Sequence, residues 1–172
     1  MTTPKHIFSL PLGGQPIIPA RFLSRPNRFL AICEAKECGR VKAFLPNPGR
    51  LLELLLPDVT LYLLHNGADN SDRATDYTVL AVERDGQPVL LHTHWCNVMA
   101  RQLLDAALVP GLEKARVVRQ EVKMGHSRFD FLLEDKQGPW HVEVKSCTLF
   151  GNGVAMFPDA VTARGRRHLL EL

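Results

Sequence analysis

Cysteine is scarce and scattered. Cys33, Cys38, Cys96 and Cys147 contain no Cys-x-x-Cys pair. A structural zinc site usually needs two close pairs, so these thiols read as reduced core or surface residues. Aromatics are few, with 8 Phe, 2 Trp and 2 Tyr, though enough to seed a core. No apolar run reaches the roughly eighteen residues of a membrane-spanning helix, so no membrane partner is expected. Lys5 and His6 precede only a very short apolar stretch, without the apolar centre of a secretory signal. A cytoplasmic location is expected, nucleoid-associated if the chain binds DNA. There is no Gly/Ser linker and no internal repeat, and 12 Gly with 12 Pro exclude collagen-like or low-complexity readings.

What is present is globular. The 172 residues suffice for one ordinary domain or two small ones. Hydrophobic residues make up 45% and charged residues 23%, which excludes wholesale disorder. The net charge of +3 permits nucleic-acid binding without establishing it. Residues 1–94 carry 10 Lys/Arg against 9 Asp/Glu, and residues 95–172 carry 11 against 9. Any basic surface must therefore come from clustering in three dimensions.

Short apolar runs broken by turn residues fill the first part of the chain. Strands are expected over 16–23, 28–36, 41–45, 60–65, 78–83 and 88–94, with Asp85-Gly86 turning the last hairpin. Residues 51–56 read as a short helix after the loop Pro46-Asn47-Pro48-Gly49-Arg50. This pattern suits a small barrel of the oligonucleotide-binding type, or another small antiparallel sheet. From Asn97 the texture changes. Asn97 could cap a helix to Leu108, with Met99, Leu103 and Ala106 on one face. Strands over 115–124, 127–134 and 140–149 follow, then a short apolar piece and a helix over 159–172. The expected architecture is mixed α/β or α+β, a barrel over 1–94 and an αβββα unit over 95–172.

The sharpest chemistry lies in Arg128-Phe129-Asp130-Phe131 and Val142-Glu143-Val144-Lys145. Residues two apart on a strand share a face, so Glu143 and Lys145 point together. A turn centred between Lys136 and Gln137 places Asp130 opposite Glu143; a centre between Gln137 and Gly138 places it opposite Lys145. Two opposed carboxylates repel unless a cation lies between them. Their oxygens suit Mg²⁺, or Mn²⁺ in its place, and Lys145 could orient a water or neutralise a phosphate. That set suits phosphodiester hydrolysis. A solvated sheet face with a Glu–Lys ion pair would show the same spacing. A turn at Gly125-His126 would bring Glu121 beside Asp130.

Asp130 followed by Glu143-Val144-Lys145 resembles the PD-(D/E)xK nuclease signature. Pro46–Arg50, Ser127–Phe131, Val142–Leu149 and Phe157–Gly165 together resemble the sugar fermentation stimulation protein A family. The resemblance runs from about residue 15 to the end. It implies an oligonucleotide-binding-type barrel followed by a PD-(D/E)xK nuclease-like domain. It also implies non-specific DNA binding and a role in regulating sugar (maltose) utilisation genes. The family's acidic and lysine positions fall on Asp130, Glu143 and Lys145, with Asp130 and Glu143 as metal ligands. The family loop usually reads Asn-Thr-Gly, whereas here Pro48 stands between Asn47 and Gly49. The family also continues through a further strand and helix, so the C-terminal part of the nuclease-like domain is expected to be missing.

DNA contacts are expected from two basic groups. Arg164, Arg167 and His168 share a stripe on the last expected helix. Arg21, Arg25 and Arg28 lie close together with Phe22 and Phe29 interleaved, a combination suited to charge plus base stacking, although both rings could be core. Arg128, next to the acidic strand face, completes the set. His92 and His94 read as structural residues on one strand face. Three readings follow: a DNA-binding protein, a Mg²⁺-dependent nuclease, or a protein-interaction module.

Overall fold

The computed structural model describes residues 10, 12–67, 74–156, 166 and 170. Two compact units emerge. One comprises Pro11–Trp95 with Cys147–Phe157, and the other is built on Cys96–Ser146. The architecture is mixed and mostly strand. No helix among the described residues is long and apolar enough to cross a membrane.

The first unit holds β1 (Ile17–Asn27), β2 (Leu30–Ala35), β3 (Gly39–Phe44), β4 (Thr60–His65), β5 (Tyr77–Arg84) and β6 (Gln87–Leu90). The sheet order is β3-β2-β1-β4-β5-β6, and β3 also pairs parallel with β5. That extra pairing closes five strands into a barrel. Register shifts at Phe22/Ser24 and Ser24/Asn27 interrupt the β1–β2 ladder; such bulges let a long strand bend around a small barrel. Ala20, Ala31 and Ala43 share the core with Leu61, Leu63, Val79 and Val82. Small residues beside large ones fill a narrow interior. Cys33 is wholly buried, and burial pushes its thiol pKa up to about 11, as suits an inert core residue.

Asp85 and Gly86 both take positive φ, 52° and 73°, between paired Arg84 and Gln87. This is the geometry a two-residue hairpin needs. Two expectations fail nearby. Residues 51–56 form a single turn, closed by Leu55 N to Leu51 O at 2.8 Å, that does not continue into a helix. Leu51 and Leu54 instead plug the barrel core. The strand expected to His94 stops at Leu90, and α1 (Thr93–Asp105) begins where Thr93 Oγ1 bonds Pro46 O at 2.9 Å. His92 and His94 therefore flank the helix start instead of sharing a strand face.

The Pro46–Arg50 loop is organised by Asn47, only 6% exposed. Its Nδ2 donates to Leu91 O at 3.1 Å, and its Oδ1 accepts from Gly49 N at 2.9 Å. Pro48 does not disturb this, because the turn uses the Gly49 N–H. Asn47→Ala leaves a buried carbonyl and an amide unmatched, costing about 1–3 kcal/mol. A thermal melt should show a midpoint lower by several degrees, with Asn47→Asp in between. An unchanged midpoint would remove this role from Asn47.

The second unit packs α1 on β7 (Arg116–Met124), β8 (Ser127–Asp135) and β9 (Gly138–Val142), in the order β7-β8-β9. Leu104, Phe131 and Leu133 form its buried centre, flanked by Ala100, Val117, Val142 and Val144. The helix face is thus Ala100 and Leu104, in place of the expected Met99, Leu103 and Ala106. A hairpin of β10 (Leu149–Gly151) and β11 (Val154–Met156) belongs to the barrel unit. Arg84 fixes it, bonding Phe150 O at 2.9 Å with its guanidinium 4.0 Å over the Phe150 ring. The helix expected over 159–172, with Arg164, Arg167 and His168, lies outside the described residues. Arg166 and Leu170 alone are described there, both helical and exposed.

Candidate functional site

Strand β8 alternates cleanly. Phe129, Phe131 and Leu133 are at most 1% exposed, and Asp130 lies on the opposite face. The β8–β9 ladder runs from Asp135↔Gly138 to Phe131↔Val142. Its turn is centred between Lys136 and Gln137, so the next step sets Asp130 level with Glu143.

The ladder ends there for a local reason. Val144 N donates to Asp130 Oδ2 at 2.7 Å instead of to a strand carbonyl. The strand expected over 140–149 therefore stops at Val142, and Glu143 to Lys145 turn around the Asp130 carboxylate. Val142 and Val144 pack on the core and straddle Glu143. The Glu143 side chain is 13% exposed, and Lys145 Nζ reaches its Oε1 at 2.5 Å. Asp130, Glu143 and Lys145 are thus brought together.

A fourth member escaped sequence reading. Asn97 lies inside α1, and its Nδ2 donates to Asp130 Oδ1 at 2.7 Å. Both Asp130 oxygens are therefore aimed by a donor before any ligand arrives. Asn97, Ala100 and Leu104 stand at i, i+3 and i+7. A lone carboxamide on an otherwise apolar stripe was the signal available.

Glu121 does not join the centre. The β7–β8 ladder brings it level with Asp130, but its φ is 54° and its carboxylate pairs with Arg128 Nε at 2.9 Å. Among the described residues no group of three or more His, Cys, Asp or Glu is placed to hold a metal. The donor set is two carboxylates, hard oxygen ligands of the kind Mg²⁺ or Ca²⁺ accepts with water completing the shell.

The basic residues divide by what they touch. Arg21 is clamped by Glu34 and Asp58, each at 2.5 Å, and Glu34 chiefly, with Asp58, raises its guanidinium pKa. Arg25 bonds the carbonyls of Arg50, Arg28 and Asn47 at 2.6, 2.7 and 3.1 Å. Burial, then the charge of Arg28, lowers its pKa. These two arginines organise the barrel. Arg28 is exposed. Of the interleaved rings, Phe22 is core at 7% and Phe29 is exposed at 47%.

Comparison with known proteins matches both halves of the chain. A family model described as "SfsA N-terminal OB domain" matches residues 23–91. One described as "Sugar fermentation stimulation protein RE domain" matches residues 94–172. The sugar fermentation stimulation protein homolog of Moorella thermoacetica is 45% identical over 157 residues, covering 91% of this chain and 67% of that protein. Its counterpart in Methanosphaera stadtmanae is 38% identical, covering 88% of this chain and 64% of that protein. The solved structure of Pyrococcus furiosus SfsA in complex with Ca²⁺ superposes with TM-score 0.77 at 33% identity, covering 91% of this chain and 66% of that one. The chain thus spans about two thirds of the length of these relatives. With matches over both halves and 45% identity to a curated relative, the chain belongs to the sugar fermentation stimulation protein family.

Proposed function

We propose that this chain binds DNA without sequence preference and holds a divalent cation between Asp130 and Glu143. The gathering of Asp130, Glu143 and Lys145 at one strand end carries the reading. The Ca²⁺ bound by the Pyrococcus furiosus relative supports it. In this reading the chain is an accessory factor acting on sugar (maltose) utilisation genes through DNA.

A second reading, Mg²⁺-dependent phosphodiester hydrolysis, is favoured by the ammonium of Lys145 beside Glu143. Asp130, oriented by Asn97 and Val144 N, and Glu143 would hold the ion. The ion would supply charge stabilisation at a phosphoryl group. Lys145 would offset the negative charge that develops there.

Anisotropy titrations with two unrelated duplexes test the DNA reading. Equal affinities are expected, falling with salt at a log–log slope of about −0.9 per phosphate neutralised. Absence of binding, or a strong preference for one duplex, would refute it.

A further inference from the structure

The barrel carries an exposed aromatic pair that the Asp130 centre does not use. Phe29 lies between β1 and β2, and Phe44 ends β3. Their rings are 6.3 Å apart with planes at 25°. They remain 47% and 40% exposed although they touch each other. The backbone fixes both: Phe29 N donates to Asn27 Oδ1 at 2.9 Å, and Leu45 N donates to Phe29 O at 2.9 Å. The rings border a cleft of about 660 Å³, lined also by Asn27, Thr75 and Thr78. Polar side chains thus line the cleft together with the two rings.

Cations accompany the rings. On β3, Arg40, Lys42 and Phe44 are exposed and alternate with Val41 and buried Ala43. They share the outer face at a spacing of about 6.7 Å per two residues. Arg28 is the chain neighbour of Phe29 and is exposed. Among the described residues none of these three cations enters an ion pair, and Glu34, opposite Arg40, is held by Arg21. A second copy of the chain would bring like charges together on this face. A polyanion with planar apolar groups would not.

We propose that Phe29 and Phe44 form a stacking platform for unpaired bases of single-stranded DNA, with Arg28, Arg40 and Lys42 along its backbone. The proposal rests on the DNA-binding reading and adds the strand form and the contacting residues. Every base has a π face, so such a platform binds without sequence preference. Duplex DNA, with its bases stacked on one another, would use the cations alone.

The test is anisotropy of the full chain with four probes of equal length: oligo-dT, an abasic strand, a duplex and oligo-U. Wild type should prefer oligo-dT to the abasic strand. Phe29→Ala and Phe44→Ala should each weaken oligo-dT binding by about 5- to 150-fold. Both should leave abasic binding and the salt slope unchanged. Phe29→Trp should retain affinity and report base contact by quenched emission. Equal binding of oligo-dT and abasic strand, or alanine variants that bind as wild type, would overturn the platform while duplex binding preserves the DNA reading. Failure to bind any probe would sink both. Tighter binding of oligo-U would assign the surface to RNA. A change only in sedimentation of the alanine variants would assign it to self-association.

Discussion

Glu143→Gln should lower divalent-cation affinity by about two orders of magnitude, read by calorimetry with Mg²⁺, Mn²⁺ and Ca²⁺. The substitution keeps volume and can still accept from Lys145 Nζ, which lies 2.5 Å from Oε1. What it removes is one of two anionic donors. Hard cations need anionic oxygen, and even outer groups that merely orient a ligand are worth about 10–100-fold. The same variant decides the hydrolytic reading. Any Mg²⁺- or Mn²⁺-dependent cleavage of end-labelled DNA should vanish in this variant, while retardation of DNA persists. Wild-type cation affinity in the variant would remove Glu143 from the centre. Cleavage that survives the substitution would place the chemistry elsewhere.

Phe131→Ala should destabilise the helix-and-sheet unit by about 3–5 kcal/mol, the range for truncating a buried phenylalanine. Its ring is 1% exposed and is the largest side chain in a centre whose other buried members are Leu104 and Leu133. Domains are stable by only about 5–15 kcal/mol, so this is a large share. Urea denaturation should show the lower midpoint, and hydrogen exchange should locate the loss in the β8 amides. The effect should also reach the centre, because Val142 and Val144 pack on this core and carry Glu143 between them. Cation affinity should therefore fall without any ligand being altered. A cost under about 1 kcal/mol would show that the unit's stability lies elsewhere.

Much of this molecule could be read from residue patterns, and the failures share one cause. Strand β4, Thr60–His65, matched its expected bounds because apolar alternation over turn-bounded residues is a local signal. The Asp85-Gly86 hairpin was legible because turn chemistry fixes alignment. The register of Asp130 was narrowed only to Glu143 or Lys145, and the observed β8–β9 ladder selects Glu143. The start of α1 was not, since it depends on Thr93 meeting Pro46 O, a partner far away in sequence. The end of β9 was hidden likewise, because a side-chain oxygen of Asp130 takes the Val144 amide. Asn97 looked like a cap when local preference alone was weighed. Its partner on β8 shows why it lies within the helix. Charge was the least legible feature. Arg21 and Arg25 were expected in a DNA-contacting cluster, and their partners within the protein, on β2 and in loops, have no signature in the local sequence.

The barrel is a cylinder with one thin seam. Strands β2 and β3 pair along their whole lengths, from Leu30↔Phe44 to Ala35↔Gly39, whereas β3 meets β5 only at Ala43↔Tyr77 and Phe44↔Thr78. Fluctuations open a structure where the fewest bonds must break, so the cylinder would part there before anywhere else along its wall. Phe44 and Thr78 are one rung of that seam, and both border the aromatic cleft. Whatever settles into the cleft rests across the two lips. A guest that binds only the closed form draws the population toward closure by mass action. If the proposed single strand settles there, its occupancy and the closure of the seam would be one equilibrium, and the barrel would act as a clasp fastened by its guest.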